Sequence, residues 1–395
     1  MRPASRIVIS ALAMIGALCL PVLADQNPPA PQVSAQPVAA PQATPPPPAE
    51  PKPAAPAPGS PLQLKLGDAT FRFGFLVQPQ ADFSQNQAGG YGQNLLLRRV
   101  RFIVGGQVTK SVFFFFETEN SRLGNAASTG AKSFTTGFQT LDAVAEWRLK
   151  KAFNLAGGLI RVPTSRDALD SAASEFTIDA NAYAFTATGV LGGSGGRDIG
   201  IQARGYLLDD RFEYRAVIVS GLREAGSRNA FRKVGRVQYN FFDKEIYNLP
   251  SYQGNNFGTK RILVVGAAYD MQLGYRGVTA DVFGDFPTAF GSANGTLTYQ
   301  NLDGGNKLVA QFGESDIITA DGGLYFKGPK VGPWVKYEKR DFSNVNNKDE
   351  KRVLVGLNYY PFGNNFNIKT AYARFTPPTG RNTNQIIVQV QVYYY

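Results

Sequence analysis

The chain has 395 residues, 41 Lys plus Arg against 30 Asp plus Glu, and a formal net charge of +11. It carries 28 Phe and 18 Tyr, no His, and one cysteine, Cys19. Zinc and haem sites draw chiefly on His and Cys, and Ser–His or Cys–His nucleophile pairs need an imidazole, so the composition points away from an enzyme.

In chain order, Arg2 and Arg6 precede an apolar run from Ile7 to Leu20, and Val22-Leu23-Ala24 offers a small-residue cleavage site. This is the pattern of a secretory signal, residues 1–24, cleaved near Ala24. Leu18 occupies the place where a lipoprotein needs a small residue before its cysteine. Cleavage removes Cys19, leaving neither Cys nor His; no cofactor and no metal site is expected. Residues 25–65 are rich in Pro, Ala and Gln, with Pro45 to Pro48 in one run. Such composition favours extended polyproline segments, read here as a periplasmic spacer or as a featureless leader. No later window approaches the roughly 20 apolar residues of a spanning helix. A soluble periplasmic protein and an outer-membrane barrel are the two classes left.

Residues 66–395 read as one domain of alternating segments. Phe71, Phe73, Phe75 and Val77 oppose Arg72, Gly74, Leu76 and Gln78; Ile199, Ile201, Ala203 and Leu207 oppose Asp198, Gly200, Gln202 and Arg204. Period-two alternation puts each set on its own face of a strand. The strands expected are 70–84, 94–109, 111–119, 138–150, 152–162, 196–208, 211–220, 229–242, 260–271, 274–285, 291–302, 317–328, 331–342, 351–361, 366–376 and 384–395. Their connections mostly alternate short and long, the rhythm of an all-β, antiparallel, up-and-down transmembrane barrel with short periplasmic turns and longer outer loops. Two breaks are an overlong link at Asp243–Thr259 and a tight outer turn near Met271–Leu273. The aromatic excess fits the girdles of such a barrel.

Several segments resemble the phosphate-selective porins of the O/P type. They are Leu97-Arg98-Arg99-Val100-Arg101-Phe102 with Gly106, Ala156-Gly157-Gly158-Leu159-Ile160-Arg161-Val162-Pro163, and Arg197-Asp198-Ile199-Gly200-Ile201-Gln202 with Phe212-Glu213-Tyr214 and Ser220-Gly221. Lys336-Tyr337-Glu338 and Val355-Gly356-Leu357-Asn358-Tyr359-Tyr360-Pro361 extend the resemblance. It implies sixteen strands, a homotrimer, and a third loop folded inward to narrow a pore. One departure is that Tyr394, not Tyr395, is in phase with the lipid-facing set.

Charged strand residues point to the lumen, since an Arg at mid-membrane on the lipid face costs roughly 2–4 kcal/mol. The expected pore-lining, anion-binding set is Arg99, Arg101, Arg148, Arg161, Arg166, Arg204, Arg215, Arg232, Arg236, Lys336 and Arg340. Guanidinium groups suit bidentate contact with oxyanions. Inward carboxylates are Asp142, Glu146, Asp198, Glu213 and Glu338, which leaves open that the arginines pair across the wall. Arg98 has the outward phase and is assigned to lipopolysaccharide phosphate. Of Phe113 to Phe116, two are expected on lipid and two against loop side chains or a trimer contact. Loop Pro163–Gly195, with Arg166, Asp167, Asp170, Glu175 and Asp179, is the candidate constriction; a hard-cation site or a solvated outer loop are the other readings. Gly189–Gly200 lacks the Lys-Ser/Thr of a phosphate-binding loop and reads as loop return. The expected function is passive diffusion of small anions, phosphate or similar oxyanions, across the Gram-negative cell outer membrane. A general or sugar-permeable porin and a structural envelope-tethering barrel are the alternatives. Small anions, outer-membrane lipid and lipopolysaccharide are the expected partners, and nucleic acid is not.

Overall fold

The computed structural model describes residues 62–126, 130–134, 137–246, 251–305, 313–343 and 349–395. The expected signal peptide, and the Pro-rich segment as far as residue 61, lie outside the described residues. Seventeen strands follow in order: β1 (Leu62–Leu66), β2 (Ala69–Gln85), β3 (Tyr91–Gln107), β4 (Val112–Leu123), β5 (Gln139–Lys150), β6 (Phe153–Arg161), β7 (Arg197–Leu207), β8 (Phe212–Val219), β9 (Arg232–Asn240), β10 (Ile262–Gln272), β11 (Tyr275–Thr288), β12 (Gly291–Asp303), β13 (Ser315–Phe326), β14 (Val331–Phe342), β15 (Glu350–Phe362), β16 (Phe366–Thr376) and β17 (Thr383–Tyr394). A five-residue helix, α1 (Thr186–Val190), sits in the loop after β6.

Each of β2 to β17 pairs antiparallel with its sequence neighbours, and β17 pairs back onto β2 through Gln389↔Gln80 and Tyr394↔Phe75. The result is a closed barrel of sixteen strands, as the alternation of segments predicts. Closure leaves no exposed sheet edge, which is the condition for crossing a bilayer with strands. The extra strand, β1, pairs with the first residues of β2 (Leu62↔Phe73) beyond the point where β17 stops. The sequence reading placed it in the spacer.

The predicted phases hold along most of the strands. Phe73, Phe75, Ile199, Ile201, Val355 and Val388 are exposed outward, while Leu76, Gln78, Gln202 and Gln389 are buried inward. The outer face is therefore apolar and the inner face polar. Connections at one rim are short, and at the other they are mostly longer. Leu273 and Gly274, both at positive φ, make the two-residue turn between β10 and β11, where Gln272 faces Tyr275. Tyr394 stacks outward on Phe75, whereas Tyr395 turns inward against Phe115. The backbone makes room for it: a Cβ on Gly105 would lie 2.2 Å from the Tyr395 hydroxyl. Phe113 and Phe115 are buried beside Ile103, Tyr393 and Tyr395, so their inner partners come from the last strand and not from a loop.

Candidate functional site in the lumen

Strand alternation forces polar side chains into the lumen, and two connections fill the space between them. Loop 162–196, between β6 and β7, does not stand in solvent: Ser165, Arg166 and Leu169 are fully buried. It crosses the barrel and takes a foothold on nearly every wall. Arg166 N donates to Asp281 of β11, and Thr298 of β12 donates to Asp167. Gln391 of β17 donates to Ala173 O, and Lys369 of β16 to Thr177 O at 3.0 Å. Ala182 N donates to Glu338 of β14, and Arg232 of β9 to Thr188. The solvated-loop reading is thus corrected. The glycine-rich stretch that follows is the return of this loop to β7, with Gly192, Gly195 and Gly196 at positive φ.

Phe176 is the apolar anchor of the loop. It packs with Trp334, Tyr325 and Tyr360, and Phe257 closes the cluster from the link between β9 and β10. A buried Phe contributes about 1.5–3 kcal/mol in hydrophobic transfer. The wall is shaped for it, because a Cβ on Gly323 would lie 2.1 Å from the Phe176 ring and one on Gly332 would lie 3.1 Å away.

Asp179 is the electrostatic anchor. Its Oδ1 accepts from Arg99 at 2.5 Å and its Oδ2 from Arg98 at 2.6 Å, while its carbonyl accepts from Lys336. Burial alone would raise the pKa of this carboxyl, but the two guanidinium groups outweigh burial and hold it below its ordinary value. The inward reach of Arg98 corrects the expectation of a lipid-side arginine. Between the pairs Val77↔Val100 and Pro79↔Leu97, β3 carries one residue more than β2. This bulge sits at Pro79, which has no N–H for the ladder, and it turns two consecutive arginines toward one carboxylate.

The arginines expected along the pore are gathered on the lumen side, and carboxylates meet them. Arg101 bonds Glu119 and lies 3.2 Å from Glu117; Arg204 grips Glu146 with two hydrogen bonds at 2.5 and 2.9 Å. Arg148 also reaches Glu146, with its guanidinium over Phe113. Arg161 lies 3.7 Å from Asp142 and donates to the loop carbonyls of Leu169 and Asp170. Arg166 grips Glu245, Arg215 pairs with Glu213, Arg232 with Asp270, and Arg236 with Asp281. Lys336 is buried, and Arg340 bonds Ser315 near the end of β14. Among the described residues, fifteen buried carboxylates stand against eleven buried cations. The positive excess of the whole chain is therefore not carried by its buried residues.

Sequence reasoning missed Arg197, which grips Asp142, and Lys369. Lys369 has the inward phase of Asn367 and Ala371 and was findable by alternation, whereas Arg197 shares the phase of the outward Ile199 and Ile201 and turns inward only at the strand end. Glu245 and Tyr252, on the irregular link, carry no periodic signal. Nor does a hard-cation site form: no group of three or more acidic, His or Cys side chains is placed to hold a metal among the described residues. Between loop and wall a small crevice of about 20 Å³ remains, lined by Arg101, Glu117, Arg161, Ser171, Ser251 and Tyr393.

The family model of the phosphate-selective porin O and P matches residues 73–209. None of the curated proteins matches the chain. Among solved structures, OmpF of Salmonella typhi in complex with daunomycin is 11% identical, with a TM-score of 0.57 over 84% of this chain and 100% of that one. The trimer form of OmpT, an outer-membrane protein of Vibrio cholerae, is 11% identical, with a TM-score of 0.54 over 82% and 99%. An anion-selective porin from Comamonas acidovorans is 10% identical, with a TM-score of 0.52 over 82% and 99%. At these identities the likeness is one of fold. The resemblance read from the sequence is borne out over residues 73–209, where this sixteen-strand barrel carries the phosphate-selective porin O and P pattern.

Proposed function

We propose that the protein is a narrow outer-membrane diffusion channel for small hydrophilic solutes, in which the arginines brace the lumen and do not stand free as an anion filter. The observation that carries this reading is the pairing of the arginines of β3, β5 to β9 and the loop with carboxylates, within a buried set richer in acids than in cations. A paired guanidinium presents a dipole to a passing ion, and its field falls off faster than that of a free charge. The apolar outer face and closed ladder support placement in the Gram-negative outer membrane. The basic and apolar N-terminal run supports export, with cleavage near Ala24. The trimer form of the similar OmpT of Vibrio cholerae supports a homotrimer as the assembly.

A second reading, selectivity for phosphate-like oxyanions, is favoured by the family match and by Arg98 and Arg99 on a part-exposed Asp179. The two readings separate in planar bilayers under a salt gradient. Weak selectivity, with no block of chloride current by phosphate, is expected. A strongly anion-selective reversal potential with phosphate block would establish the second reading instead, and absence of any conductance would favour a structural barrel.

A further inference from the structure

The lumen loop does not cross the barrel unaided. Residues 241–246 and 251–261 of the link that joins β9 to β10 at the opposite rim reach inward and meet it, with Glu245 and Tyr252 buried. Asp170 and Tyr252 form a parallel β-bridge, with Tyr252 N donating to Leu169 O at 2.9 Å and Ser171 N to Tyr252 O at 3.0 Å. Gly254 N donates to the Ser174 hydroxyl. At the centre, Arg166 of the loop grips Glu245 of the link through two hydrogen bonds at 2.7 and 2.9 Å, and donates to Gln253 O. Both side chains are 0% exposed. The guanidinium lies 3.7 Å from the Phe283 ring centroid and 5.0 Å from that of Tyr252.

We propose that this link is a latch that holds the lumen loop across the pore from the periplasmic rim, so that separation of the two segments sets how far the channel opens. The inference rests on the channel reading above. Three features support it. A fully buried ion pair is a poor stabiliser beside apolar packing but strict about its partner, so it specifies one docked register of loop and link. The contact between the described parts of the two segments is local: one bridge, a few hydrogen bonds, the Arg166–Glu245 pair and Phe257 beside the Phe176 cluster, the scale on which sub-global opening occurs. The barrel does not depend on it, because every wall strand from β2 to β17 already pairs on both sides.

The experiment combines two readouts on Glu245→Gln, with the heat-modifiable gel shift confirming a folded barrel. The first is maleimide labelling of Ser251→Cys, a near-isosteric thiol on the link at a position 7% exposed. The second is single-channel conductance. Labelling should be slow with Glu245 in place and about tenfold or more faster in the Glu245→Gln background, and conductance should rise with it. An Asp170→Cys/Tyr252→Cys pair gives an independent arm: oxidation should hold conductance at its lowest level and reduction should raise it. Unchanged labelling, or faster labelling at unchanged conductance, overturns the latch, as does a cysteine pair insensitive to oxidation. Faster labelling with no conductance in any variant would sink the channel reading while leaving the contact between link and loop as described.

Discussion

Replacing Asp179 by Asn removes one negative charge from the part of the lumen where ion pairs are most open to water. The Asp179 side chain is 30% exposed and that of Arg98 is 22% exposed, against 8% for Arg99. Asn keeps the shape and one acceptor oxygen, so the loop keeps a weakened foothold. Arg99 is left with Gln78 at 2.9 Å and Glu119 at 3.8 Å. Unpairing a fully buried charge costs about 3–5 kcal/mol, and partial exposure reduces this to about 2 kcal/mol. The electrostatic effect is separate. A unit charge about 8 Å from a passing ion, in water-like dielectric, contributes about 0.5 kcal/mol. It acts with opposite sign on anions and cations, so the permeability ratio should move about fivefold toward anions. Reversal potentials across a dilute salt gradient measure this, at low ionic strength where the Debye length reaches about 30 Å. The shift should shrink as salt rises. An unchanged reversal potential in dilute salt, with the barrel folded, would refute the placement of Asp179 beside the permeation route.

Gly323→Ala should loosen the loop by about 1–3 kcal/mol, since the added methyl meets the Phe176 ring at 2.1 Å and the Pro333 carbonyl at 2.7 Å; unaltered thermal stability would show that Phe176 is not seated there. The charge-neutral pair Arg204→Gln/Glu146→Gln should leave the reversal potential unchanged, because the arginine is already matched by its carboxylate; a shift toward cations would show that Arg204 acts on ions as a free charge. Raising pH from 5 to 8 should reduce hydrogen-exchange protection of residues 168–178 beyond the intrinsic rate change. Burial raises Glu175 to about 7 and Asp170 well above its ordinary value, so the folded loop holds protons that the released loop gives up and is destabilised as pH climbs. Asp179 has the opposite sign, but its contribution is lost only as pH falls through the acidic side of about 4, outside this window. Equal protection at both pH values would remove these two carboxyls from the account.

Strand existence was legible because a barrel writes one rule on every strand: apolar outward, polar inward. The sixteen segments, the overlong link and the tight turn at Leu273 all follow from that rule and from turn chemistry. Local breaks in the rule were not. Pro79 disturbs the ladder of β2, but alternation alone assigns the extra residue no side, so Arg98 reads as outward when the bulge turns it to Asp179. β1 is too short to show a period, and its Leu62, Leu64 and Leu66 follow directly on the Pro-rich stretch.

The site was legible as a list and not as a field. Phase names the residues that face inward, and most of the arginines it names are buried there. What it does not supply is the distance from each cation to its nearest acid, and that distance governs the potential. Glu117, Glu119, Asp142 and Glu146 stand on β4 and β5 beside the arginines of β3, β6 and β7, a register that only the folded ladder reveals. The loop then adds Asp167, Asp170, Glu175 and Asp179 from above, and the link adds Glu245 from below. A chain with formal charge +11 thus buries more carboxylates than cations among its described residues. Net charge is a property of the whole surface, whereas permeation is decided within a Debye length of the path. On the channel reading, selectivity is expected to turn on which few pairs are open to water, and among the described ion pairs the cluster of Arg98, Arg99 and Asp179 combines partial exposure with a position on the loop.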